Sequence, residues 1–255
     1  MSSLLSMFNK SLSTLKKSSL LSIVFFILFS CAKDLPLTFK DQSIEKKDQA
    51  VVDISYPKAE GGNEEVASKI NKTVENFLAN EINMSETVDK NLTLNEAING
   101  FDEEYKSFKN DFSDTTQEWE AVIEAEVTYE SEHLICISVS SYLDTGGAHG
   151  NSHVTFLNFD KTTGQLFIED DIINDKEAFK KLVLPYFEKA TQSLSDEETI
   201  EDPFFGEGFQ LPENIGFRKE GIILLYNVYE IASYAQGVTE FTIPFEKAKS
   251  FLKIY

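Results

Sequence analysis

Three histidines, two cysteines and a group of tyrosines are the residues whose chemistry goes beyond that of a solvated acidic surface. His149 and His153 are four apart, a spacing that on a helix turns both imidazoles to one face and suits a zinc ion. Gly146, Gly147 and Gly150 argue against a helix there, so that geometry is lost. Asp144 could join the two histidines as an Asp-His-His set for a metal-dependent hydrolase. The plainer reading is a positive-φ turn at Gly146-Gly147 between two strands, with His149 packed over it and bonded to backbone. A ligand contact at this loop would use the same residues: Asp144, Gly146, Gly147 and His149.

A second group lies near the end of the chain. Tyr226, Tyr229 and Tyr234 with Glu230 are candidate ligand contacts, because an exposed tyrosine offers a large rigid area with a polar tip. Strand alternation would put Tyr226 and Val228 on one face, Asn227 and Tyr229 on the other. The competing reading is half-buried packing. Glu118, Glu120, Glu124, Glu126 and Glu130 form an acidic row that is either a solvated face or an attractor for a cationic partner. There is no G-x-S-x-G elbow, phosphate loop or dinucleotide fingerprint, so no catalytic set, cofactor or metal site is assigned.

Cys31 carries a different chemistry. Residues 1–30 hold Lys10, Lys16 and Lys17, no acid, and an apolar run from Leu20 to Phe29. That run is shorter than the about 20 residues a membrane-spanning helix needs, and reads as a signal peptide. Leu28-Phe29-Ser30-Cys31 resembles the bacterial lipobox, whose cysteine receives a diacylglycerol; Phe29 is bulkier than usual at its position. Cleavage before Cys31 leaves a mature chain of about -23 net charge. A second acyl chain on the new amino terminus would give the two-chain anchoring that stable membrane attachment requires. Cys136, then without a partner to oxidise with, reads as a buried small hydrophobe.

Composition limits the rest. The 255 residues are 42% apolar, which excludes wholesale disorder, and the 43 acidic against 23 basic side chains argue against nucleic acid. Arg218 is the single arginine. Residues 31–50 read as the lipidated cysteine and a polar tether, with a first short strand around Leu37–Ile44. A strand from Val51 is closed by Pro57. Helical spacing follows at Val66, Ile70, Val74, Phe77, Leu78 and Ile82, then at Leu94, Ile98, Phe101, Tyr105, Phe108 and Phe112. Period-two alternation from Trp119 to Tyr129, then strands at Leu134–Leu143 and Val154–Phe159, predict an antiparallel meander. Asn174 and Glu177 suggest a capping box for a helix that Pro185 should kink or restart. Gly221–Tyr226 and Val238–Ile243 read as strands, and Pro244 opens a short terminal helix. The expected class is α+β, an antiparallel sheet meander with helices packed on it, in two intimately joined halves.

These residues carry a family resemblance. Asp144-Thr145-Gly146-Gly147-Ala148-His149-Gly150-Asn151, with Asn158-Phe159-Asp160, Thr163-Gly164-Gln165 and Asp170-Asp171-Ile172, resembles a hallmark of the C-terminal domain of the anti-sigma factor RsiV. That domain also accompanies the peptidoglycan deacetylase PdaC. The segment from Tyr226 to Gly237 resembles the second hallmark, and Val51–Phe112 resembles the PdaC-type partner domain. The resemblance implies a PdaC-like domain over 51–145 and an RsiV-type domain over 146–255. It further implies an extracytoplasmic binding or sensing module: RsiV-like proteins bind lysozyme, and in PdaC-like proteins a separate domain does the chemistry. The expectation is a non-catalytic lipoprotein of the bacterial cell envelope, binding a lysozyme-like protein or peptidoglycan. The alternative is a metal-dependent cell-wall hydrolase or deacetylase-like enzyme using Asp144, His149 and His153.

Overall fold

The computed structural model describes residues 36–47, 49–85, 87–192, 203–204 and 206–254. The leader and Cys31 lie outside them. Strands β1 (Thr38–Lys46) and β2 (Val51–Glu60) precede helices α1 (Glu64–Glu81) and α2 (Leu94–Asp111). β3 (Glu120–Glu130), β4 (Leu134–Asp144) and β5 (Asn151–Asp160) complete a five-stranded sheet of order β1-β2-β3-β4-β5. After α3 (Glu169–Ile172) and α4 (Lys176–Thr191), β6 (Asn214–Arg218), β7 (Gly221–Tyr226) and β8 (Thr239–Pro244) form a second sheet, followed by α5 (Phe245–Ala248). The class is α+β.

β1 takes up nearly half of the stretch read as tether and lies where the short strand is expected, one residue later at its start and two at its end. β3, β4 and β5 pair antiparallel as alternation predicts, whereas β2 and β3 run parallel across the connection made by both helices. β2 also continues past Pro57. Its pairing with β3 ends at Ser55, so Pro57 sits where β1 is the only neighbour and its missing N–H breaks no ladder. The hairpin between β4 and β5 joins two strands of one sheet across the anticipated 145/146 boundary.

Both long helices start as their sequences dictate. The Asn63 side chain accepts from Glu65 N–H, and Thr93 with Glu96 forms a reciprocal capping box. Their apolar stripes, Ile70, Val74 and Leu78 on α1 with Ile98 and Phe101 on α2, cover Val52, Ile54, Ala121 and Ile123 of the sheet. The expected capping box of α4 does not form, and the cap falls one residue later. Asp175 caps it, accepting from Ala178 N–H at 3.0 Å, because Asn174 is drawn to Ser250 and Phe251 backbone. α4 runs through Pro185 without restarting.

β4 serves two cores. Ile135, Ile137 and Val139 face the helices, while Leu134 and Cys136 face the second sheet with Phe156, Phe179, Phe217 and Ile223. Cys136 Sγ accepts from Phe217 N–H at 3.3 Å, and burial pushes its thiol up to about 11. The outer edge of β5 is closed by asparagines. Asn227 takes both Val154 N–H (2.8 Å) and Val154 C=O (2.9 Å), and Asn214 accepts from Phe156 N–H (3.3 Å). Asn158 in turn donates to Ile215 C=O at 2.7 Å. An edge strand that would otherwise present unpaired amides is thereby joined to β6 and β7. Gly216 lacks a Cβ where the Phe156 ring would stand 2.4 Å away. Among the described residues no helix is long and apolar enough to cross a membrane.

Candidate functional site: an imidazole and tyrosine cluster where two loops meet

The β4–β5 hairpin is shaped by Asp144 and its glycines. Asp144 Oδ1 accepts from Gly146 N–H at 2.9 Å, an Asx turn that reverses the chain. Gly146 has φ +95, and a Cβ there would come within 2.8 Å of the Gln117 side chain. Gly147 has no positive φ, so the turn requires glycine at one of the two positions and not at both. Gly150 is needed for another reason: a Cβ would stand 2.3 Å from the Tyr142 ring, which lies against it. The Tyr142 hydroxyl approaches Asp144 Oδ2 at 3.5 Å. Partial burial, then the Asp144 and Glu120 carboxylates, push the Tyr142 phenol up.

His149 stands exposed on this turn. Its Nδ1 lies 2.8 Å from Gly150 C=O, so Nδ1 carries the proton and, in the neutral ring, Nε2 is an acceptor. The Tyr229 hydroxyl donates to Nε2 at 3.4 Å, and the Tyr234 ring stacks on the imidazole with centroids 3.8 Å apart and planes at 19°. Tyr229 and Tyr234 rings are 6.1 Å apart. Residues 80 positions apart in the chain thus form one surface. β2 runs from Glu60, paired with Thr38, to Val51, level with Glu120 and Asp144. The cluster therefore lies at the far end of the sheet from the start of β1.

The loop after β7 holds Tyr229 in an unusual backbone. Its φ of +67 makes it the one non-glycine with positive φ among the described residues, and its side chain is 62% exposed. A bulky residue gains nothing locally from the left-handed region, so the surroundings must impose it. Tyr229 N–H donates to Ala232 C=O at 2.8 Å, and Glu230 N–H to Asn227 C=O at 3.1 Å. Glu230 binds the loop from below: Oε1 accepts from Glu213 N–H (3.1 Å) and Oε2 from Asn227 N–H (2.8 Å). Burial raises its carboxyl above the ordinary value, partly offset by those two donors.

The predicted residues separate accordingly. Asp144, Gly146, His149, Tyr229 and Tyr234 come together, with Gly147 on the same turn. Tyr226 does not join them. Strand alternation ends at Tyr226, which is 1% exposed and packs on Phe187, its hydroxyl donating to Gln210 C=O at 2.6 Å. Glu230 positions the loop with both oxygens occupied. His153 is exposed on β5, 3.4 Å from the Asn227 amide nitrogen, and His133 lies at the other end of β4 beside Asp160. Among the described residues no three histidine, cysteine or acidic side chains are placed to share a metal ion, so Asp144, His149 and His153 form no such set. Tyr142 and Asn227 were not singled out from sequence. Tyr142 could have been: it precedes Asp144 by two and so shares its strand face.

Residues 44–152 match the family described as Deacetylase PdaC, and residues 166–246 match the one described as Protein of unknown function (DUF3298). No curated protein matches the chain. Among solved structures, a DUF3298 family protein from Pseudomonas aeruginosa PAO1 is similar at 22% identity and TM-score 0.59, over 86% of this chain and 96% of that one. A DUF3298 member from Bacteroides fragilis NCTC 9343 is similar at 20% identity and TM-score 0.60, over 86% and 94%. At those identities the likeness is one of fold. Both families are of the extracytoplasmic, cell-envelope type. The hairpin falls in the first matched segment and the tyrosine loop in the second. The chain thus matches, in tandem, a PdaC-type domain over residues 44–152 and a DUF3298 domain, the RsiV type, over residues 166–246.

Proposed function

We propose that this protein is a non-catalytic, lipid-anchored binding protein of the cell envelope. Its ligand docks on Tyr229, Tyr234 and His149, and is a cationic, lysozyme-like protein. The observation that carries this reading is Tyr229: a large aromatic held exposed in a backbone region that disfavours it, with its hydroxyl and ring fixed by His149 and Tyr234. Strain retained at an exposed aromatic is a mark of function, because a free surface position would relax it. A rigid tyrosine also anchors a partner at small entropic loss. The net charge of -20 favours a basic protein over an acidic or neutral one and accelerates its approach. Lipidation at Cys31, after removal of residues 1–30, would hold the module at a membrane.

The test is binding of hen lysozyme, and separately of peptidoglycan fragments, to purified residues 32–255, which include both cores. Lysozyme should bind with an affinity that falls with salt, and Tyr229→Ala should lower it by roughly tenfold or more, as loss of an anchor does. Binding of wall fragments alone would move the ligand to peptidoglycan. Absence of binding to either at low salt would remove the proposal. Lipidation is tested apart from it: the Cys31→Ala protein should leave the membrane fraction once the leader is cleaved.

A further inference from the structure

A groove separate from the tyrosine cluster runs along α1. It encloses about 420 Å³ between α1, the loop at Val88 and Leu166. Its lining is mixed: Phe77 and Leu157 form an apolar floor, Val88 (76% exposed) and Leu166 (37% exposed) apolar rims, and Thr73, Asn76 and Asn80 lie among them. The Val88 rim is held in place. Asn80 accepts from Asp89 N–H at 2.9 Å and donates to Asp89 C=O at 3.0 Å, while Asn76 donates to Asp89 C=O and Leu92 C=O, both at 2.9 Å. Asparagine is a poor helix former, yet α1 carries three, of which Asn76 and Asn80, one turn apart, are both committed to fixing this loop. The peptide they hold sets Val88 over the groove on one side and Lys90 on the other.

Charge gives the groove a direction. Lys72 and Lys90 line one end, and among the described residues neither forms an ion pair. Glu81 lines the other end, accepting from the Ser141 hydroxyl. From Lys72 to Glu81 is about 14 Å along the helix at 1.5 Å per residue. An anion is therefore favoured at the lysine end and repelled at the other, with the apolar floor and rims between. We infer that the groove binds a fatty acid, its carboxylate between Lys72 and Lys90 and its chain laid over Phe77 and Leu157 beneath Val88 and Leu166. An apolar floor with a few placed polar groups is the usual composition of a small-molecule site. The inference is independent of the proposed function, since the groove shares no residue with the tyrosine cluster.

Titration of residues 32–255 with dodecanoate, followed by calorimetry, tests it, with dodecylamine and dodecanol as matched probes. Dodecanoate should bind saturably and the other two more weakly. Lys72→Glu and Lys90→Glu should each weaken it by roughly tenfold, as loss of one charge-assisted contact does. Both lysines are exposed, so these variants should melt with the parent; Leu166→Asp, which puts a carboxylate on the apolar rim, should weaken dodecanoate as well. Absence of saturable dodecanoate binding, equal binding of dodecylamine, or indifference to all three substitutions would overturn the inference. So would a dimer in sedimentation that Val88→Asp dissociates, because a second copy would then be the occupant.

Discussion

On one face of the five-stranded sheet, α1 and α2 lay Ile70, Val74, Leu78, Ile98 and Phe101 over Val52, Ile54 and Ile123. At the β5 edge the second sheet is joined by asparagine amides to Val154 and Phe156, with apolar packing behind them. The two junctions differ in what they specify. Apolar packing is non-directional and accepts small displacements at little loss. An amide that meets both the N–H and the C=O of one residue accepts almost none. The candidate site is built from the hairpin before β5 and the loop after β7, so its geometry depends on the second kind of junction. Asn227 belongs to both: its side chain holds β5, and its backbone holds Glu230 and the Tyr229 turn.

Truncation separates the two junctions most strongly. Phe101→Ala, at a fully buried position, should cost about 3–5 kcal/mol and lower the urea midpoint of the whole fold. Asn227→Ala leaves the Val154 amide and carbonyl without their partner and should cost about 1–3 kcal/mol, less than the core change. Its effect should be local. Hydrogen exchange at Val154 and Phe156 should quicken while amides of β2 beneath the helices keep their protection. Uniform loss of protection in Asn227→Ala would mean that the asparagine junction is no more specific than the apolar one.

The helix-covered half was legible because its signal is periodic. Val66 to Ile82 and Leu94 to Phe112 repeat at helical spacing, and Trp119 to Tyr129 at strand spacing, so helix and strand positions follow from one side chain after another. The asparagine junction has no period. Asn227 meets Val154 across 73 residues, and nothing in either neighbourhood announces it. β6 was missed for a related reason: Asn214, Gly216 and Arg218 interrupt its apolar residues, and Gly216 is there for Phe156 rather than for a turn. Of the site, the residue types were legible and the backbone was not. Tyr226 and Tyr229 look alike in sequence, yet one ends a buried strand and the other begins an exposed left-handed turn.

That left-handed turn is a third point at which the two regions diverge. Glycine adopts positive φ without the penalty of about 1–2 kcal/mol that a β-carbon brings, so Tyr229→Gly should raise stability by roughly 1 kcal/mol net of its chain entropy. At a well-packed core position the same kind of truncation destabilises. A higher melting temperature together with lost lysozyme binding would show strain kept for function. A lower melting temperature would show that the Tyr229 ring contributes more by packing on Tyr234 than its backbone takes away.

The smallest expected effect lies beneath that turn, at Glu230. Burial lifts its carboxyl above the value it has in the unfolded chain, so over the interval between the two values the folded state holds the proton more tightly. Stability from this group is present below the unfolded value and is lost as pH rises through the folded one. The two backbone donors, Glu213 and Asn227, limit the shift by favouring the charged form. Glu230→Gln removes the titration while keeping one acceptor oxygen. The difference in melting temperature between parent and variant should therefore move in the variant's favour as pH rises from about 4 toward neutrality. Phe101→Ala removes no titratable group, so it should shift the curve by a constant amount across the same range. A pH-independent difference for Glu230→Gln would show that the paired backbone donors cancel the effect of burial, so that the carboxyl titrates alike in the folded and unfolded chain.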